Sequence, residues 1–351
     1  MDNRSNNFDC VRLFAALAVI YGHAFPLALM ASPSLLGNSI QAFAVKIFFT
    51  ISGFLICKSW MNSSNFGGYL AKRVLRIFPA LIVLSVVTIL LIGPFLTNLS
   101  LMDYFSNSTT LNYLQNIRLY PVYNLVDLFS SNAYPSAVNG SLWSLPVEFF
   151  MYLFIAVIAL KKANGNSPSL LWAATLIACT SSLYFVHYSQ PAVHPVFYGT
   201  DLISALDVMP YFLIGALYSY YSLERFLNSQ VAIFGIGFVA LFQPTSAILQ
   251  ETFLYIVAPY AILSFAVTQT PVLHRIGRFG DLSYGIYLYG FLIQQIINSV
   301  TGNSLTPFQN AIMSMPIAAL CAYISWHAIE KPALKYKVGL NLFFSRGKQH
   351  G

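Results

Sequence analysis

Charge is what this chain has least of. Of its 351 residues only 8% are Asp, Glu, Lys or Arg, against roughly a quarter in an average soluble domain. A chain so poor in charge cannot cover a water-facing surface, which excludes ordinary soluble enzymes and binding modules. Paired cysteines are lacking too. Cys10, Cys57, Cys179 and Cys321 stand singly in or beside apolar runs, without paired spacings or a nearby His cluster. Neither a disulfide framework nor a zinc site is indicated, and no metal is assigned. The first apolar run has no small-residue cleavage pattern, so it reads as a retained span and not a signal peptide.

What is present is apolar length. Hydrophobic residues make up 57% of the chain and the mean hydropathy is +0.65, so length converts into membrane spans of about 20 residues each. Apolar runs separated by Pro, Gly, Asn and charged clusters fall at 8–30, 41–60, 76–98, 141–160, 168–187, 201–221, 230–247, 251–269, 281–300 and 308–329. The expectation is an all-α polytopic membrane protein with about ten transmembrane helices. It forms a single domain over 1–351 that ends in a short tail from about residue 333.

The net charge of +7 does not need nucleic acid as a partner. With the amino terminus in the cytoplasm, Arg4, Lys58, Lys72, Arg73, Arg76, Lys161, Lys162, Arg225, Arg275, Arg278, Lys331, Lys335, Lys337, Arg346 and Lys348 all fall on or near the cytoplasmic side. Only Arg118 falls in an outer loop, and such asymmetry is the usual determinant of orientation. Both termini are therefore expected inside. The long connection from Leu99 to Gly140 is expected outside, capping the mouth of a cavity.

Ionisable groups within a bilayer are costly and point to function. The first span holds Arg12 and His23, eleven positions apart, which puts them on one helix face with a rise of ~16 Å between them. Arg12 lies toward the inner surface, while His23 lies ~22 Å along a hydrocarbon core of ~30 Å. The span opening with SLWSLPVEFF carries Glu148 about 10 Å below the outer surface, a depth similar to that of His23. A carboxylate beside a buried imidazole fixes its tautomer and raises the basicity of the other nitrogen, as a general base for a hydroxyl requires. His23 and Glu148 are thus the candidate catalytic residues.

Lys72, Arg73 and Arg76 cluster in what reads as an inner loop. They are either anchors of the positive-inside kind or a site for a phosphate-bearing donor, to which guanidinium groups offer paired hydrogen bonds. Ser52 and Gly53 fall near the midplane of the second span, where small residues serve close helix packing or clear a path for a narrow chain. Trp143 and Ser144, at the head of the fourth span, and Tyr284 and Tyr287, three apart in the ninth, are candidate cavity-lining groups, with packing as the alternative for the tyrosines. The remaining histidines, His187, His194, His274, His327 and His350, show no pairing or ligand spacing.

Arg12 with His23, FFTISGFLI, KRVLRIFP, SLWSLPVEFF, GDLSYGIYLYGF and IEKP occur in that order from Phe8 to Pro332. Together they resemble the acyltransferase-3 family of bacterial membrane acyltransferases, in the manner of O-antigen acetyltransferases without an appended esterase-like domain. The resemblance implies acetyl-coenzyme A as a cytoplasmic acyl donor, no tightly bound cofactor, and a sugar hydroxyl of a lipid-linked or surface glycan as acceptor, in the bacterial inner membrane. By match to its motifs it points to Arg12 and His23 and weighs Arg73 and Arg76 toward a donor site; the mechanism expected has Arg12, Lys72, Arg73 and Arg76 on the donor and Glu148 orienting His23 as base or transient acyl carrier. Many members carry a His after the aromatic pair of the late motif. This chain has Tyr289 and Gly290 there, so that role does not carry over. The rival reading is a transporter or flippase for a lipid-linked glycan. It lacks support in the sequence because no related halves with interrupted helices are evident. The sequence leaves the oligomeric state open.

Overall fold

A computed structural model describes residues 6–135, 137–159, 169–242, 244, 246–270, 273, 277–278 and 280–335. Ten helical rods dominate it: α1 (Phe8–Leu27), α2 (Ile40–Met61), α3 (Phe66–Leu96), α4 (Gly140–Ile158), α5 (Ser169–Ser189), α6 (Leu202–Tyr220), α7 (Ser229–Phe242), α8 (Ala247–Val267), α9 (Ser283–Val300) and α10 (Pro307–Lys335). The only strands among the described residues are two two-residue hairpins, β1 (Ser34–Leu35) with β2 (Asn38–Ser39) and β3 (Val196–Phe197) with β4 (Thr200–Asp201). The chain is an all-α polytopic membrane protein.

Eight of these rods are long and apolar enough to cross a bilayer. The other two of the ten expected runs also form helices. Rod α7 has only 14 residues, and α9 carries Gln294, Gln295 and Asn298, all buried. Those amides face protein. Gln294 donates to the Ile20 carbonyl at 2.8 Å, and Asn310 donates to Asn298 at 2.7 Å. Burial inside the bundle is what allows α9 to be the least apolar of the long rods.

The third helix starts ten residues earlier than its apolar run. Asn65 caps it, its side chain accepting from Gly68 N at 2.6 Å, so Lys72, Arg73 and Arg76 lie on α3 and not in a loop. Their charge had masked nearly three helical turns.

Close approach of backbones holds the centre together. A Cβ on Gly53 would stand 1.8 Å from the Phe212 carbonyl oxygen, and one on Gly215 would stand 2.2 Å from that of Thr50. Rods α2 and α6 therefore touch backbone to backbone, as small residues permit in membrane bundles. Gly53 belongs to this seam and not to a cavity wall.

The segment 97–139 gathers at the end of the bundle opposite the α1 amino terminus and folds inward against α9. Asn132 donates to the Gln295 carbonyl at 2.9 Å, Gln295 donates to the Ala137 carbonyl at 2.7 Å, and Asn139 donates to the Leu288 carbonyl at 2.9 Å. The amides that make this stretch look like a polar loop bond to carbonyls of α9, and Gln295 of α9 answers a carbonyl of the stretch, so polar groups are paired inside the bundle. The basic residues Lys58, Lys72, Arg73, Arg76, Arg225, Arg278, Lys331 and Lys335 lie at the other end, by the course of the helices. Arg4, Lys161, Lys162, Arg275, Lys337, Arg346 and Lys348, with His274, His350 and the tail beyond 335, lie outside the described residues.

Candidate active site

At the basic end, α1, α2, α3, α4, α9 and α10 enclose a cavity of ≈ 240 Å³ whose wall includes Arg12, Ser52, Lys72, Arg73, Arg76 and Asp281. Two guanidinium groups are clamped. Asp281 Oδ2 accepts from Arg12 at 2.8 Å and from Arg76 at 2.6 Å, while Arg76 also reaches Glu330 at 3.3 Å. Ser283 donates to the other oxygen of Asp281 at 2.7 Å. Burial opposes ionisation of Asp281, but Arg12 and Arg76 hold its carboxyl well below the ordinary carboxylate range. The chain can reach Arg12 here because Gly280 adopts φ +103°, where a Cβ would meet Trp326 Nε1 at 2.1 Å. Only glycine suits that turn.

Two cations stay available. Lys72 and Arg73 make no salt bridge among the described residues. Arg73 donates to Ser59 at 3.2 Å and lies over the rings of Tyr69 and Tyr152, each at 5.8 Å. Its Nε is buried without a hydrogen-bond partner. A compact polyanion entering this cavity meets donors already aimed and fixed.

Arg12 is shared with a second, narrower cavity of ≈ 30 Å³ that runs inward past Glu148, Ser144, Tyr284 and Tyr287. Glu148 accepts from Ser52 at 2.9 Å and from the hydroxyl of Tyr152. At the inner end Tyr287 meets Ser144 at 2.6 Å and donates to the Ser141 carbonyl at 3.0 Å. Tyr284 donates to the Ile77 carbonyl at 2.8 Å beneath Arg76, whose guanidinium lies 5.1 Å from its ring centre. Ser52, Ser144, Tyr284 and Tyr287 are thus brought together. Trp143 packs in the hydrophobic core beside them and lines neither cavity.

His23 and Glu148 do not meet, contrary to the expectation of equal depth. His23 packs edge-on against Phe291, with ring centres 5.2 Å apart, and no hydrogen bond reaches its ring among the described residues. Gly22 faces Gln41 of α2, and Ser52, which binds Glu148, lies eleven residues further along α2, a rise of ~16 Å. Glu148 is therefore level with Arg12. The reason is the inward fold of 97–139. Helix α4 begins at Gly140, against Phe291, so its start and not its middle is level with His23. Tyr287 lies one turn below Phe291, which leaves His23 about one turn beyond the end of the narrow cavity.

Comparisons with known proteins identify the family. The family model for an acyltransferase domain matches residues 5–327. The chain belongs to the acyltransferase-3 family. Among relatives of this acyltransferase, an O-acetyl transferase of Shigella phage Sf6 is 30% identical over 340 residues, covering 94% of this chain and 96% of that one. A protein named nodulation protein 10 of Rhizobium leguminosarum bv. viciae is 29% identical, with 95% of each chain covered. A putative peptidoglycan O-acetyltransferase of Bacillus subtilis is 25% identical over 92% of this chain but only 54% of its own length. No solved structure matches. Membership in the family displaces the transporter reading.

Sequence reasoning missed several residues of the acyltransferase. Asp281 and Glu330 lie inside the quoted motifs GDLSYG and IEKP, yet their partners come from α1 and α3, more than 200 positions away. A second charged group was also missed. Lys46, fully buried, lies 2.8 Å from Glu251 and 2.9 Å from Asp207. His187 Nε2 stands 3.7 Å from Asp207, and His194 pairs with Asp201 at 2.8 Å, so these two histidines are not unpaired as their spacing had suggested. The ligand atoms of His187, Asp207 and Glu251 lie within 4.8 Å of one another. The Lys46 ammonium already stands between the two carboxylates, so a divalent ion would compete with a fixed cation. The cluster ties α2, α5, α6 and α8 together.

Proposed function

We propose that this acyltransferase moves an acetyl group from acetyl-coenzyme A to a sugar hydroxyl of a lipid-linked or cell-surface glycan. In this reading the basic end faces the cytoplasm of a bacterial cell and the 97–139 end faces outward. The observation that carries it is the basic cavity: four cationic side chains around ≈ 240 Å³, two clamped by Asp281 and two without a salt bridge. Donor phosphates rest on Lys72 and Arg73, with Arg12 and Arg76 lining the passage. The slender arm of the donor, about as long as five extended residues or ~17 Å, enters the narrow cavity past Ser52 and Glu148. Its thioester then lies near Ser144 and Tyr287, one turn from His23.

His23 takes the proton of the acceptor hydroxyl as that oxygen attacks the thioester carbonyl, and the coenzyme A thiolate leaves and is reprotonated. An imidazole ring without a hydrogen-bond partner is free to accept that proton. Glu148, 16 Å away in level, holds Ser52 and Tyr152 at the waist of the passage and acts on the arm, not on the ring. O-acetyl transfer by the phage relative of similar length supports the acetyl group. The acceptor class rests on the resemblance to O-antigen acetyltransferases.

Arg73→Ala tests the donor site with the least structural disturbance, since Arg76→Ala would take one of two guanidiniums from Asp281 and the salt bridge from Glu330. Losing a charge-assisted contact of about 1.5–3 kcal/mol corresponds to a tenfold or greater rise in the apparent dissociation constant of acetyl-coenzyme A. Unchanged donor affinity at matched protein levels would return these residues to membrane anchoring.

A further inference from the structure

On the far side of α4 from the reaction cavity lies a groove of ≈ 460 Å³ between α3, α4, α6, the 97–139 segment and the β3–β4 hairpin. Helix α4 divides the two spaces. Ser144 and Glu148 face inward, while Pro146, Phe150 and Leu153 line the groove. The groove extends along α4 from Pro146 to Leu153 and along α6 from Leu202 to Met209, seven residues in each case and so ~10 Å. Its floor is hydrocarbon throughout.

One end is different. Arg118 lines it, is exposed and makes no salt bridge among the described residues. Beside it Thr200, 5% exposed, has a buried hydroxyl without a hydrogen-bond partner. The rim is built firmly. Tyr198 donates to the Arg118 carbonyl at 2.9 Å and packs edge-on to Tyr120 at 5.3 Å, and Gly199 turns at φ +69° against Pro121. An apolar trough ending in a free guanidinium and an unsatisfied hydroxyl matches a hydrocarbon chain that ends in a phosphate.

We propose that this groove seats the hydrocarbon chain of a phosphate-linked lipid that carries the saccharide acceptor, with Arg118 and Thr200 on the phosphate. The proposal rests on the acceptor class proposed above. The rim lies beside the start of α4, which is level with His23. A saccharide borne on that phosphate therefore approaches the bundle at the depth of the proposed base. An ordinary bilayer phospholipid has the same chemistry, and the test separates the two.

The probes are a long-chain prenyl phosphate and the matching prenol, added to the purified full-length protein in detergent, with binding read by native mass spectrometry. The phosphate should bind about tenfold more tightly than the prenol, the weight of one charge-assisted contact. Arg118→Gln, at an exposed position, should erase that difference, and Ala205→Trp, which fills the trough, should weaken both probes. Equal binding of phosphate and prenol to the wild type, or binding that neither variant changes, would overturn the proposal. Displacement by equimolar phosphatidylglycerol would assign the groove to bilayer lipid and also overturn it. Binding as expected without acetyl transfer would leave the lipid seat standing and fail the functional reading instead.

Discussion

Asp281→Asn probes the clamp directly. The substitution keeps the shape of the side chain and removes the charge that one oxygen shares between Arg12 at 2.8 Å and Arg76 at 2.6 Å. Breaking a fully buried ion pair by removing one partner costs about 3–5 kcal/mol. These side chains are 16–18% exposed to the cavity, and an amide oxygen still accepts one hydrogen bond, so about 2 kcal/mol is the appropriate figure. For a chain of this size that lowers the melting midpoint by roughly 3 °C. The charge released on Arg12, and in part on Arg76, which keeps Glu330 at 3.3 Å, adds to that of Lys72 and Arg73, where the donor phosphates are proposed to rest. Coenzyme A should therefore stabilise the variant more than the wild type at one ligand concentration, the stabilisation itself being about 2.7 kcal/mol where that concentration is a hundredfold over the dissociation constant. A carboxyl with a depressed folded-state pKa contributes stability above its unfolded value of about 3.9 and loses it only as pH falls through the folded value. The gap between wild type and variant should hence be flat between about pH 5 and pH 8. Tryptophan-fluorescence melts in detergent, with and without coenzyme A, supply the measurement. Equal midpoints for the two proteins, or a gap that opens within that pH range, would refute the reasoning.

Three further expectations concern chemistry and orientation. His23→Ala should abolish acetylation of glycan while the protein stays inserted, because removing a half-buried ring without hydrogen bonds relieves polar cost; glycan acetylation near wild-type level would move the base elsewhere. Glu148→Gln keeps an acceptor for Ser52 and Tyr152 and should lower turnover by about tenfold or less, with loss equal to that of His23→Ala counting against its separation from the ring. A cysteine placed at Asn107 should react with a membrane-impermeant reagent on intact cells, and labelling only after the membrane is opened would invert the orientation.

The helices were legible because apolar length is a local property: each of the ten expected runs coincides with a rod, and the Arg12 to His23 spacing survives as a shared face. The errors came from features that charge or polarity disguised. Lys72, Arg73 and Arg76 look like a loop in a hydropathy profile, yet Asn65 caps a helix that carries all three. Residues such as Asn132 and Asn139 give 97–139 the composition of a solvent-facing connection, whereas their amides, with Gln295 of α9, dock it inside the bundle. That single misreading displaced Glu148 from the level of Arg12 to the level of His23. The sequence spacing of α4 was sound, but its starting depth depended on contacts with α9 some 150 positions away.

The same long-range logic explains why the site's charges balance only in three dimensions. Arg12 and Arg76 read as two of several positive-inside residues, and their counter-charge Asp281 sits in a motif dominated by tyrosine and glycine. Bringing them together requires α1, α3 and α9 to converge at one end, and that convergence is what shapes the cavity. A membrane protein cannot leave buried guanidiniums uncompensated, so each clamped cation implies an anion on another helix. Lys72 and Arg73 have no such partner in the described structure, and the anion that completes them is most simply the ligand. In the proposed function the donor site is thereby tied to the fold, the charges that remain after internal pairing being the ones assigned to the substrate.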